Sequence, residues 1–128
     1  MPGVIDALDR IALPSCVASS GPHHKMEVTL RHTGLWDRFA GRMFSATEVA
    51  HGKPAPDLFV HAARSMGFDP ARTAVVEDSL PGIQAARAAG MRALAFACGA
   101  EAEALRAAGG EPFDDMAALP GLLSRPAA

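Results

Sequence analysis

The chain has 128 residues, 49% hydrophobic and 20% charged, a balance that supports one buried core and excludes a disordered or fibrous polypeptide. Its formal net charge is −2 and its 12 lysines and arginines are scattered, which leaves no electrostatic footprint for nucleic acid or an anionic membrane surface. No apolar run reaches the ~18 residues of a membrane span, and no charged segment precedes an apolar one at the N-terminus, so neither insertion nor export is expected.

Val4, Ile5, Leu8 and Ile11 recur at helical spacing until Pro14, which predicts an opening amphipathic helix. Residues 15–19 form a short apolar strand that runs into the turn Ser20-Gly21-Pro22 and a helix over 23–32, stopped near Gly34. Leu35, Trp36 and Phe39 are expected to pack a loop against the core, and residues 42–46 give a weakly signalled strand. In His51-Gly52-Lys53-Pro54-Ala55-Pro56-Asp57 each proline forces its predecessor into extended geometry, so Lys53 sits on a stiff loop. A helix over 56–66 follows, with Leu58, Phe59, Ala62 and Ala63 as its apolar face and Gly67 as its stop. Residues 73–76 are the clearest strand. It ends in Glu77-Asp78-Ser79, turns through Leu80-Pro81-Gly82 and enters an alanine-rich helix over 83–89 closed by Gly90. A strand over 91–97 and a helix over 101–108 complete the pattern, while Asp114-Asp115 is read as following no strand.

Short strands alternating with helices of about ten residues predict an α/β fold, a Rossmann-like parallel sheet with helices on both faces, in one domain over 1–128. Cys16 and Cys98 lie far apart in apolar stretches, so they read as buried, reduced thiols of a cytoplasmic protein rather than as a zinc spacing or a disulfide framework.

Ligands of such sheets bind beyond the carboxyl ends of the strands. Three junctions there carry polar groups: Ser19-Ser20-Gly21, Lys53 on its proline-braced loop, and Glu77-Asp78. Singly, each has a plain reading as a helix cap, a solvated lysine or an acidic turn. Together they supply a hydroxyl with backbone N–H groups for phosphate oxygens, a fixed cation, and hard carboxylate oxygens for Mg²⁺, the inventory of phosphoryl transfer.

These residues resemble the haloacid dehalogenase superfamily of phosphatases and mutases, in particular its β-phosphoglucomutase-like branch. Val17-Ala18-Ser19-Ser20-Gly21 looks like the family's second motif, His51-Gly52-Lys53-Pro54-Ala55-Pro56-Asp57-Leu58-Phe59 like its third, and Val75-Val76-Glu77-Asp78-Ser79-Leu80-Pro81-Gly82-Ile83 like its fourth. The likeness extends through Ala85-Ala86-Arg87-Ala88-Ala89-Gly90-Met91 and so covers nearly the whole chain. It implies that Ser19 donates its hydroxyl and Ser20 its backbone N–H to a phosphoryl group, and that Lys53 neutralises substrate and nucleophile. It also implies that Glu77 and Asp78 hold Mg²⁺, the metal offsetting the charge that repels an incoming carboxylate. His51 and Asp57 stay outside the chemistry.

The same resemblance expects an Asp-x-Asp-Gly loop after a first strand, its leading Asp attacking phosphorus, and a helical cap. Neither Asp6-Ala7-Leu8-Asp9, which lies in a helix, nor Asp114-Asp115 substitutes for that loop, so the chain reads as the C-terminal portion of a longer enzyme, inactive alone. In the family that first strand is central, between those ending at Ser19 and at Glu77. Without it the two flanking strands are expected to close on one another or pack loosely, ahead of a second copy or an N-terminal fragment filling the position.

The implied function is a Mg²⁺-dependent phosphatase acting on a small phosphorylated metabolite, a phosphosugar by resemblance. Alternatives are a phosphosugar mutase and a non-catalytic phosphate- and metal-binding or interaction domain. Dehalogenation is opposed by the Glu77-Asp78 pair, and a receiver domain by the absence of an acidic phosphoacceptor near the start. His23, His24 and His32 read as solvated histidines, the first two beside the turn; Gly52 and Gly82 as backbone turns; Arg87 and Arg92 as surface charges.

Overall fold

The structure, a computed structural model, describes residues 2–125, so the expected domain bounds run past it at both ends. Strands and helices alternate: α1 (Val4–Asp9), β1 (Val17–Ser19), α2 (His23–His32), α3 (Trp36–Phe39), β2 (Met43–Ser45), α4 (Asp57–Met66), β3 (Ala74–Glu77), α5 (Leu80–Ala88), β4 (Arg92–Phe96), α6 (Gly99–Ala107), β5 (Glu111–Phe113) and α7 (Leu119–Leu123). Short 3-10 turns lie at Ala46–Glu48, Pro70–Arg72 and Met116–Ala118. No helix among the described residues is long and apolar enough to cross a membrane.

All pairings are parallel, as short strands joined by helices require. β1 pairs with β2, Ser19 opposite Ser45, and β3, β4 and β5 form a second sheet in that order, Glu77 opposite Ala95. In the second sheet the side chains alternate with period two. Val75, Ala93 and Ala95 face a core shared with Phe59 and Ala63 of α4, Ile83, Ala85 and Ala86 of α5, and Leu105 of α6. Leu94, Ala74, Val76 and Phe96 face the other side, against Ala7 of α1, Met116 and Leu119. Helices therefore cover both faces, the predicted α/β architecture. Leu94 and Ile83, each 0% exposed, mark the two sides of this sheet.

β1 and β3 are not hydrogen-bonded neighbours, so the expected closure of these strands on one another does not occur and two sheets remain. Side chains join them instead: Ala18 packs against the core of the larger sheet, and the Lys53 side chain reaches the ends of both strands.

Several local expectations are corrected. α5 begins at Leu80 rather than 83, because Ser79 caps it, its Oγ accepting the Gly82 N–H at 3.2 Å, and Pro81 suits a first helical turn that needs no N–H. Asp114 does follow a strand, β5, which tolerates Pro112 because it is an edge. Trp36 and Phe39 lie on a helical turn, not a loop, with Phe39 buried and the Arg31 guanidinium 4.4 Å from the Trp36 ring centre. Cys98 is exposed rather than buried, since it stands ahead of α6 beyond the end of β4; Cys16 is half-buried, and burial pushes its thiol pKa up.

Arg92 is no ordinary surface charge. Its side chain is 13% exposed and grips Glu111 in bidentate fashion, Nε–Oε2 2.7 Å and Nη2–Oε1 2.9 Å, while Nη1 donates to the carbonyls of Leu122 and Arg125. Strand β4 thus fastens both the edge strand and the last helix. Replacing Leu94 by Ala should lower the unfolding free energy by about 2–5 kcal/mol, seen as a lower urea midpoint at unchanged slope. A loss under ~1 kcal/mol would contradict its place in a packed interior.

Candidate functional site

Each segment named in the sequence reading ends at the same edge of the parallel strands. Ser19 is the last residue of β1, Glu77 the last of β3, and Lys53 lies in the loop that leads into α4. The Lys53–Pro54 peptide is cis.

Lys53 is the point of contact. Its ammonium donates to Glu77 Oε2 at 2.8 Å and to the carbonyl of Ala18, the neighbour of Ser19, at 3.4 Å, and it lies 5.0 Å from the Phe59 ring centre. Both side chains of the pair are largely withdrawn from water, Lys53 11% and Glu77 12% exposed, so solvent screens the pair less than it screens a surface pair. An ammonium has three donors, and one remains after these two bonds. Asp78, next along the chain, is exposed. The structure thus brings Lys53, Glu77 and the end of β1 together and sets Asp78 beside them in sequence.

The turn after β1 is shaped by its own side chain. Gly21 N–H donates to Ser19 Oγ at 3.1 Å, occupying a lone pair and leaving the hydroxyl hydrogen for another acceptor. Ser20 is exposed and opens the turn to α2. Ser45, wholly buried at the end of β2, donates its hydroxyl to the Gly21 carbonyl at 2.7 Å.

Gly82 is required by a close approach rather than by a turn. It lies in the first turn of α5, and a Cβ there would come within 2.1 Å of Glu77 Cδ and Oε2. Absence of a side chain at 82 is what lets the Glu77 carboxylate lie back over the helix and meet Lys53.

Sequence reasoning missed Glu48. Its carboxylate accepts the Ser45 N–H at 2.5 Å and faces His23 Nε2 at 2.8 Å and His61 Nε2 at 3.2 Å, so His23 has a carboxylate partner rather than water alone. The pattern Ser45-Ala46-Thr47-Glu48 is a capping box and was the signal available. The Ser45 N–H is the chief cause that holds the Glu48 carboxyl below its usual pKa; burial opposes it, and the two histidines each add a smaller lowering effect. His24 and His51 are exposed, and Asp57 opens α4 where a carboxylate suits the helix N-terminus. No group of three His, Cys, Asp or Glu among the described residues is arranged to hold a metal ion.

Comparison with known proteins gives a consistent picture. Residues 1–90 match the haloacid dehalogenase-like hydrolase family. The chain is 43% identical over 81 residues to the fructose-1-phosphate phosphatase of Escherichia coli, covering 63% of this chain and 43% of that one. It is 34% identical over 89 residues to the 6-phosphogluconate phosphatase of the same organism, covering 70% and 40%. A conserved haloacid dehalogenase-like protein of unknown function from Agrobacterium tumefaciens superposes with a TM-score of 0.90 at 37% identity, over 97% of this chain and 60% of that one. The chain therefore spans about two-fifths of these two curated relatives and three-fifths of the solved neighbour.

Gly82→Ala should destabilise the protein by about 1–3 kcal/mol, although Ala in a helix ordinarily gains ~1 kcal/mol over Gly. Urea unfolding of this variant, alone and combined with Glu77→Ala, checks the cause: the penalty should largely vanish in the double variant. Because the Glu48 pKa is lowered on folding, its contribution is present above the unfolded value of about 4.3 and is lost as pH falls through the folded one. Urea midpoints from pH 7 to pH 3 should show Glu48→Gln less stable than the parent by no more than ~1 kcal/mol near neutrality, the difference closing in acid.

Proposed function

The chain belongs to the haloacid dehalogenase-like hydrolases, and on that premise we propose that it is the phosphate- and metal-binding core of a Mg²⁺-dependent phosphatase acting on a small phosphosugar. The observation that carries the reading is the Lys53 ammonium, bonded to both the end of β1 and the end of β3 with one donor to spare. The relatives whose names specify phosphatases of fructose 1-phosphate and 6-phosphogluconate support the substrate class.

Each residue then has a role that follows from its chemistry. Ser19 donates its unoccupied hydroxyl hydrogen to a phosphoryl oxygen, and the Ser20 N–H donates beside it. Lys53 directs its third N–H at the same group and neutralises negative charge. Charge balance supports a metal. The Lys53 charge is already matched by Glu77, and Asp78 leaves the cluster net negative, so a phosphate dianion needs a further cation. Asp78 and the second oxygen of Glu77 are hard donors that suit Mg²⁺, which takes one or two carboxylates and fills the rest of its shell with water and phosphate oxygens. When bound, the ion would supply charge neutralisation for an incoming carboxylate.

The attacking carboxylate is assigned to a segment outside these 128 residues. Asp6 and Asp9 lie on α1, and Asp115 is engaged as a cap, its Oδ1 accepting the Ala117 N–H. The same segment would contribute the strand between β1 and β3. A cytoplasmic location goes with this reading and with the two free cysteines.

Calorimetric titration of the purified chain with inorganic phosphate in the presence of Mg²⁺ should detect binding that Lys53→Ala weakens at least ~10-fold. The chain alone should not turn over p-nitrophenyl phosphate, and mixing with a polypeptide carrying the N-terminal portion of a relative should restore turnover. Phosphate binding indifferent to Lys53, or turnover by the repurified chain alone, would overturn the assignment.

A further inference from the structure

Glu48 touches none of Ser19, Lys53 or Glu77, yet its two carboxylate oxygens reach toward the segments that carry the first two. Oε2 accepts the Ser45 N–H at 2.5 Å; the Ser45 hydroxyl donates to the Gly21 carbonyl at 2.7 Å; and the Gly21 N–H donates to Ser19 Oγ at 3.1 Å. These three bonds, joined through the covalent frames of Ser45 and Gly21, connect Glu48 to the serine hydroxyl. The same oxygen faces His23 Nε2 at 2.8 Å, and His23 opens α2 just past the turn, so the turn is held both at its carbonyl and at its exit. Oε1 faces His61 Nε2 at 3.2 Å, and His61 stands on α4, the helix into which the Lys53 loop runs. The His61 ring also packs edge-on against Phe44, the residue before Ser45, at 5.5 Å and 89°.

We propose that Glu48 is a positioning residue of the phosphate site, fixing the Ser19-Ser20-Gly21 turn relative to the Lys53 segment through Ser45 on one side and His61 on the other. The inference rests on reading that turn as the phosphate cradle. A capping box needs only the Ser45 N–H; the two histidines come from separate helices and serve no cap. Glu48, His23 and His61 side chains are 31%, 48% and 35% exposed, and polar contacts that wet add little to stability. What such contacts do control is geometry. Tetrahedral anion recognition by an N–H, a hydroxyl and an ammonium tolerates displacements of only about half an ångström.

The test is titration of the folded chain with inorganic phosphate and Mg²⁺, followed through the Ser20 and Gly21 amide resonances, in the parent, Glu48→Ala and Glu48→Gln, with urea unfolding of each. Glu48→Ala should weaken phosphate binding about 10-fold, equivalent to ~1.4 kcal/mol. Glu48→Gln, which keeps an acceptor for the Ser45 N–H but loses the charge facing the histidines, should fall between. A lowered urea midpoint with parental phosphate affinity would make Glu48 a purely structural residue and overturn the proposal. Should Glu48→Ala not fold, Glu48→Gln at parental affinity overturns it equally. A parent chain that binds no phosphate overturns the cradle reading and this inference with it, whereas a parent that binds, alongside variants that bind equally well, overturns this inference alone.

Discussion

The arrangement depends on one ammonium group bridging two sheets. Parallel strands normally hold their neighbours by a ladder of N–H and C=O bonds, but β1 and β3 share none, and it is Lys53 that bonds the carbonyl of Ala18 on one side and the carboxylate of Glu77 on the other. A lysine suits this place. Its ammonium lies 5.0 Å from the Phe59 ring centre, and its three donors radiate from a single centre, so a third remains after the two bonds. The electrostatic consequence is a pair that is neutral by itself, with the exposed Asp78 next along the chain.

The bridge is prepared by features one step removed. Gly82 leaves room for the Glu77 side chain, and Ser79 caps α5 so that its first turn lies where that room is needed. On the opposite side Ser45 fixes the carbonyl of Gly21, while the Gly21 amide in turn orients the Ser19 hydroxyl. Each of these groups fixes the direction of one at a strand end, the Glu77 carboxylate or the Ser19 hydroxyl.

How far all this was legible in the sequence depends on the range of the interaction concerned. The strand and helix alternation was readable because apolar spacing and stopping glycines are local signals; Gly67 and Gly90 do adopt the left-handed conformation that ends α4 and leads out of α5. Ser19 and Glu77 were readable as strand-end polar groups and Lys53 as a residue of a proline-braced loop; Lys53 meets Glu77 and the carbonyl of Ala18, the neighbour of Ser19. Pro81 misled, since a proline marks a break only where its missing N–H would have been used, which is not so in a first helical turn. Arg92 and His61 were not readable, because their partners lie far along the chain and charged residues give no periodic signal of burial; Glu48 offered a local capping-box pattern but no sign of its two histidines. Cys98 looked buried because its neighbours are apolar, yet the chain has already left the sheet when it arrives there.

The parting of the sheet into two and three strands also leaves a seam with no peptide ladder across it. Repeated peptide ladders resist shear, whereas side-chain ties yield by rotating about their own bonds. Across this seam, among the described residues, the β1–β2 and β3–β4–β5 halves are joined by side chains alone, by Ala18 packed into the larger core and by the two bonds of Lys53. A group held by Ser19 and Lys53 together would therefore add a tie across a seam that no peptide ladder crosses.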